Sequence, residues 1–346
     1  MDSYPQSQLK TSRGFTYNYM HVRASSPNSQ TILFLHGFPS SVFHWRHQIK
    51  YFSQRGYGVI APELLGYGKS SKPLDEQAYT GKGMSDDVKE ILDHEKVGKV
   101  VGVAHDWGSF LLSRMANFYP ALFSKYVFVD VGYSPPGQGL TRKNVEFING
   151  MVQQHMGFSV FGYFLFFDEK DAAEIMDKNI DSAESLFHTR DEELVKKYMG
   201  APGGARTWFE AGMMAPKPAY LTAEDQADFR KEFAPSRGGF APAINWYRAQ
   251  LHDINAGDEK GIFPPRANIL FRSLMLEAEI PQENYKLQQP TLLLTGNNVI
   301  TASADFPKQM KPNAPHLEVK NLDAGHWIQL EKPDETNEIL GAFFEK

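Results

Sequence analysis

The sequence predicts an α/β protein with a mostly parallel central sheet flanked by helices and a helical lid inserted into it. Three observations carry this. Short apolar strands alternate with helices up to about residue 132, the strand pattern then disappears until about residue 289, and it resumes from residue 290. Strands alternating with helices at this spacing are the signature of a parallel, doubly wound sheet. The predicted organisation is therefore a first core part at 1–132, a helical cap with its connection at 133–289, and a second core part at 290–346.

In the first part, Thr31–His36 (TILFLH) is a continuous apolar run, as expected of a strand covered on both faces. The turn GFPSS follows, then an amphipathic helix from about Val42 to Phe52. Tyr57–Ala61 is a short strand that ends at Pro62 and the glycine-broken loop LLGYGKSSKP. Met84–Glu95 is helical, with acidic residues in its first turn that suit the positive end of a helix. Lys99–Ala104 is a strand, Ser109–Tyr119 a helix stopping before Pro120, and Tyr126–Val129 a strand.

Between residues 133 and 289, helical stretches such as Ala172–Lys178 and Glu192–Tyr198 alternate with Gly/Pro-rich loops at Ala201–Ala205 and Ala234–Pro242. A connection through IFPPRANIL leads back to strands at Thr291–Thr295 and His316–Lys320 and a last helix from about Glu335 to Phe344. An insert at this point in the chain covers the C-terminal edge of the sheet, where such folds bind ligands.

The 346 residues, 42% apolar and 22% charged, suffice for one large core with an inserted subdomain. A net charge of −5 with scattered Lys and Arg gives a nucleic-acid partner no electrostatic support. The absence of cysteine excludes disulfides, thiolate metal sites and a cysteine nucleophile. The polar start MDSYPQSQLK lacks the apolar stretch of a signal peptide, and the apolar runs are too short to span a bilayer. The expectation is a cytoplasmic protein, monomer or homodimer, without membrane or nucleic-acid partners and without metal or cofactor.

Three motifs carry chemistry. In Val103-Ala104-His105-Asp106-Trp107-Gly108, small residues flank the acid two positions away on either side, as a sharp strand-to-helix turn that thrusts out a nucleophile requires. Taken alone, Asp106 reads equally well as a cap of the following helix. The second motif is His36-Gly37-Phe38-Pro39, where glycine allows close approach and frees the Phe38 N–H to face a developing oxyanion. The Trp107 N–H is the second donor. His36 reads first as a structural hydrogen-bonder of that turn. The third is Asp323-Ala324-Gly325-His326-Trp327, after the last strand. Of the eleven histidines, His326 alone combines a late position with a Gly-containing loop at the sheet edge, which suits a base; Asp323 reads as a turn residue.

Together, HGFP, HDWGS and GHW closely resemble the epoxide hydrolases of the α/β-hydrolase superfamily, from about residue 13 to 344. Haloalkane and fluoroacetate dehalogenases share this aspartate-nucleophile core. Phe161-Gly162-Tyr163-Phe164 and Gly239–Arg248 resemble the lid segments that supply two epoxide-binding tyrosines, which implies that role for Tyr163 and Tyr247. Phenols of pKa ~10 polarise an epoxide oxygen while staying protonated at neutral pH. The resemblance implies a small apolar or aryl epoxide and water as substrates, with His36, Pro39, Phe161 and Trp246 beside the substrate.

One departure stands out. Such enzymes usually carry an acid in the loop before the histidine-bearing strand, and here that loop reads Thr295-Gly296-Asn297-Asn298. An amide cannot stabilise imidazolium by charge, a loss of about 10⁴ in rate in serine-protease triads. Asp130, ending the strand YVFVD, is the expected substitute, as in the dehalogenases, with Asn298 a secondary polar neighbour. The rival readings are a dehalogenase using the same Asp106 ester and a catalytically weak or ligand-binding protein of the same fold.

Overall fold

The computed structural model describes residues 4–259 and 280–346. IFPPRANIL lies outside the described residues. Eight strands form one sheet: β1 (Gln6–Lys10), β2 (Thr16–Val22), β3 (Thr31–Leu35), β4 (Gly58–Pro62), β5 (Val100–His105), β6 (Phe123–Val129), β7 (Thr291–Thr295) and β8 (Leu317–Asn321). Their spatial order is β1-β2-β4-β3-β5-β6-β7-β8. From β4 to β8 every pairing is parallel, while β1 and β2 add an antiparallel edge.

The central strands have no exposed face. All residues of β4 and β5 are buried, which explains why they read as unbroken apolar runs rather than alternating ones. One core layer joins Ile32, Phe34, Val101, Val103, Val127 and Leu292 to helix α1 (Arg46–Ser53) and the last helix, Pro333–Phe344. The opposite layer joins Leu33, Leu35, Tyr126 and Phe128 to helices α2 (Gly81–His94) and α3 (Trp107–Phe118), and continues without a break into the inserted helices.

Among the described residues between β6 and β7 there are helices and loops but no strand. Arg142–Met156, Gly162–Phe167, Ala172–Lys178, Ile180–His188, Gly204–Glu210, Ala223–Glu232 and Asn245–Leu251 are the longer helices of this insert. The expected helix Glu192–Tyr198 changes character midway: Glu192–Leu194 is α-helical and Val195–Gly200 is a π-turn. The predicted helix from Val42 begins as a 3₁₀ turn, Val42–Trp45, capped by Ser41.

Candidate active site

The turns that leave β3, β5, β6, β7 and β8 converge at the C-terminal edge of the sheet. Asp106 follows β5 with φ 53° and ψ −123°, a conformation that side chains rarely adopt and that turns the carboxylate away from the helix it precedes. It makes no side-chain cap bond to α3, so the helix-cap reading does not describe its contacts. Gly108 lets α3 start against the carbonyls of Leu35 and His36, and a methyl group there would strike both. Gly37 is needed for the same reason, since a Cβ at that position would collide with the Asp106 side chain.

The Phe38 N–H donates to Asp106 Oδ1 at 2.7 Å, and the Trp107 N–H is a second backbone group that acts on the same carboxyl. Burial pushes the Asp106 carboxyl up, while the His326 charge and these two N–H groups pull it down. His326 Nε2 lies 3.7 Å from Asp106 Oδ2. On the other side of the ring, Nδ1 is 2.6 Å from Asp130 Oδ2. Asp130 sits just past β6 with φ 63° and is buried, with 2% exposure. Burial alone would lower His326, but the hydrogen bond and charge of Asp130, with Asp106 behind it, hold the imidazole above its ordinary value.

The loop bearing His326 is gripped at three points. His105 Nε2 meets the His326 carbonyl at 2.8 Å. Glu331 accepts from the Gly325 N–H at 2.9 Å and from the Trp327 N–H at 3.3 Å, one on each side of His326.

Asp106 and His326 open into a cavity of about 670 Å³, roofed by the inserted helices and within the range of small-molecule sites. Tyr163 and Tyr247 both line it, with ring centroids 5.8 Å apart. Tyr247 is wedged edge-on between Trp107 at 4.8 Å and Phe164 and Phe167, each at 4.7 Å. Burial pushes both phenols well above the usual tyrosine range, and the Asp106 charge adds to it. Both therefore stay protonated, in the same cavity as the Asp106 carboxylate.

Phe38, Trp107, Pro39 and Phe161 line the cavity as well. Two residues expected beside the substrate do not. His36 is buried, accepts the Leu64 N–H on Nε2 at 3.0 Å and directs Nδ1 to the Gly37 carbonyl at 3.0 Å. Burial lowers it to about 4, so it is a neutral tie between two loops. Trp246 spends its indole N–H on the Leu65 carbonyl at 2.9 Å, fastening the insert to the core.

Asn298 also differs from expectation. Its Oδ1 accepts the N–H groups of Ile300 and Thr301 at 2.9 and 3.2 Å and caps a short helix, rather than bonding the histidine. Asp323 bonds Asn297 at 3.1 Å as a turn residue. Two contributors had no sequence motif: Thr301, which donates to Asp130 Oδ1 at 3.0 Å, and Glu331. The only signal for either was position, three residues after a capping Asn and five after the histidine. Among the described residues no group of three or more His, Asp or Glu side chains could hold a metal ion, and no helix is long and apolar enough to cross a membrane.

A parallel sheet, an acid on a strained turn after β5 and a histidine after β8 define a protein of the α/β-hydrolase class. The profile of the alpha/beta hydrolase fold family matches residues 30–333, and the chain belongs to that family. Its relatives are more specific. It is 29% identical over 310 residues to bifunctional epoxide hydrolase 2 of Sus scrofa, covering 88% of this chain and 49% of that protein. It is 32% identical over 238 residues to epoxide hydrolase 2 of Siraitia grosvenorii, covering 66% of this chain and 69% of that one. The chain thus spans about half the length of the mammalian relatives it matches. The solved structure of epoxide hydrolase A from Mycobacterium thermoresistibile superposes with a TM-score of 0.76 at 26% identity, over 99% of this chain and 98% of that one.

Proposed function

We propose that the chain is an epoxide hydrolase that converts epoxides to vicinal diols through a covalent ester on Asp106. Residues 133–289 serve as its cap, and residues 1–132 and 290–346 as its core. The observation that carries the reading is the pair of protonated phenols, Tyr163 and Tyr247, in one cavity with a buried carboxylate on a nucleophile turn.

Ring opening creates an alkoxide, a poor leaving group unless its oxygen is polarised as the C–O bond breaks. Both phenols donate to that oxygen while Asp106 Oδ2 attacks carbon. Oδ1, already bonded by the Phe38 N–H, becomes the ester carbonyl oxygen and then the oxyanion, so its donors are in place before charge develops. His326 takes a proton from water as the water attacks the ester carbonyl, and Asp130 stabilises the imidazolium that results. That proton passes to the alcohol oxygen as the acyl C–O bond breaks, which frees the diol and restores Asp106. The apolar and aromatic lining suits a small apolar or aryl epoxide.

A single turnover in ¹⁸O-water tests the scheme. The diol is expected to carry no label and Asp106 one labelled oxygen, because the diol takes its second oxygen from the carboxylate. Label in the diol sinks the covalent route. A dehalogenase reading draws on the same Asp106 and on the Asp130–His326 pairing; halide release from haloalkanes without diol formation from styrene oxide would favour it.

A further inference from the structure

We infer that Thr301 is a positioning residue for the base, acting through Asp130; the inference rests on the reading of His326 as the group that hydrolyses the ester. A carboxylate turns broadly about its last torsion, because an sp³–sp² bond has no sharp rotamer wells. Asp130 therefore presents Oδ2 to His326 steadily only if Oδ1 is held as well. Oδ2 is 2.6 Å from His326 Nδ1, and Oδ1 accepts the Thr301 hydroxyl at 3.0 Å. With one oxygen on each partner, the carboxylate plane is fixed.

The Thr301 hydroxyl has a second acceptor in reach, the Asn298 carbonyl at 3.3 Å. It has one proton, and the nearer, charged acceptor takes it, since hydrogen bonds to ionised groups are the stronger ones. Thr301 is itself placed by Asn298, whose Oδ1 receives the Thr301 N–H at 3.2 Å. The loop that lacks a carboxylate thus still serves the base. It contributes a hydroxyl that orients an acid supplied by the neighbouring strand.

The test compares Thr301→Val with Thr301→Ser, both checked for unchanged melting temperature, by rapid-quench kinetics of ester formation and ester hydrolysis. A second readout is the NMR signal of the His326 Nδ1 proton in the resting enzyme, displaced far downfield by its short bond to a carboxylate. In Thr301→Val, ester hydrolysis is expected to slow at least about tenfold while ester formation stays within about twofold, the scale of one charge-assisted hydrogen bond. The downfield signal should be lost or move upfield, and Thr301→Ser should restore both properties. Equal slowing of the two steps, an intact signal with unchanged hydrolysis, or a serine variant as impaired as valine each overturns the assignment. If no epoxide forms an ester on the wild type, the epoxide reading fails, and the NMR comparison alone decides the role of Thr301.

Discussion

Asp106 and His326 each hold the other's ionisation. Burial pushes the carboxyl up and the imidazole down; the His326 charge only moderates the rise of Asp106, whereas the hydrogen bond and charge of Asp130, with Asp106 behind them, outweigh burial at His326. The resting histidine therefore lies above its ordinary value, which is awkward for a base at neutral pH. The proposed ester on Asp106 lessens this difficulty. Alkylated Asp106 carries no charge, so one of the groups that raise His326 vanishes at the step that needs it neutral. The acid limb of the single-turnover hydrolysis rate is accordingly expected at lower pH than the His326 titration in the free enzyme. Stopped ester hydrolysis across pH, set against NMR titration of the resting imidazole, measures the difference. Coincident midpoints would show that the Asp106 charge contributes nothing to the base.

The short helix Val299–Ser303 has no counterpart in the sequence pattern, unlike the buried strands. Asn298 is expected as a secondary polar neighbour of the histidine, but its Oδ1 is engaged by Ile300 and Thr301. A carboxylate at that position should cap in the same way and leave the histidine alone. Asp130→Asn is thus expected to slow ester hydrolysis by up to about 10⁴, and Asn298→Asp added to it to recover less than about tenfold. Full recovery, read by rapid-quench kinetics, would mean that the side chain at 298 turns freely to the ring. Strands buried on both faces were readable because burial forces an unbroken apolar run, and Thr291–Thr295 falls where the pattern put it. The edge strand β1 was not, since alternate residues of QSQLK face solvent and only its pairing with β2 defines it. The sharp turn at Asp106 was readable because it admits only small neighbours, and the loop of His326 because it follows the last strand. His36 and Trp246 were misplaced because sequence shows that a residue lies near the site, not which way its polar atom is spent.

At the scale of the whole molecule, one of the joints between insert and core is the acidic face of a helix, Ala223–Glu232. Asp225 pairs with Arg46 at 2.7 Å, Glu232 with Lys72 at 3.5 Å, and Asp228 accepts the Ser41 hydroxyl at 2.7 Å. Ser41 also caps the turn that follows Phe38 and Pro39, so this contact ties the insert to the loop whose Phe38 N–H bonds Asp106. Burial pushes Asp228 up to about 6, from an ordinary 3.8. A carboxyl raised in the folded state binds its proton more tightly there than in the unfolded chain, so its contribution to stability falls as pH rises between about 4 and 6. Asp228→Asn keeps an oxygen for Ser41 and removes the titration. The unfolding free energy of the wild type, relative to that variant, is expected to drop on the order of 1 kcal/mol across this window, by urea denaturation at each pH. A difference that stays flat with pH would mean that Asp228 binds its proton no more tightly in the folded protein than in the unfolded chain, and that the joint between insert and core does not respond to acid through this residue.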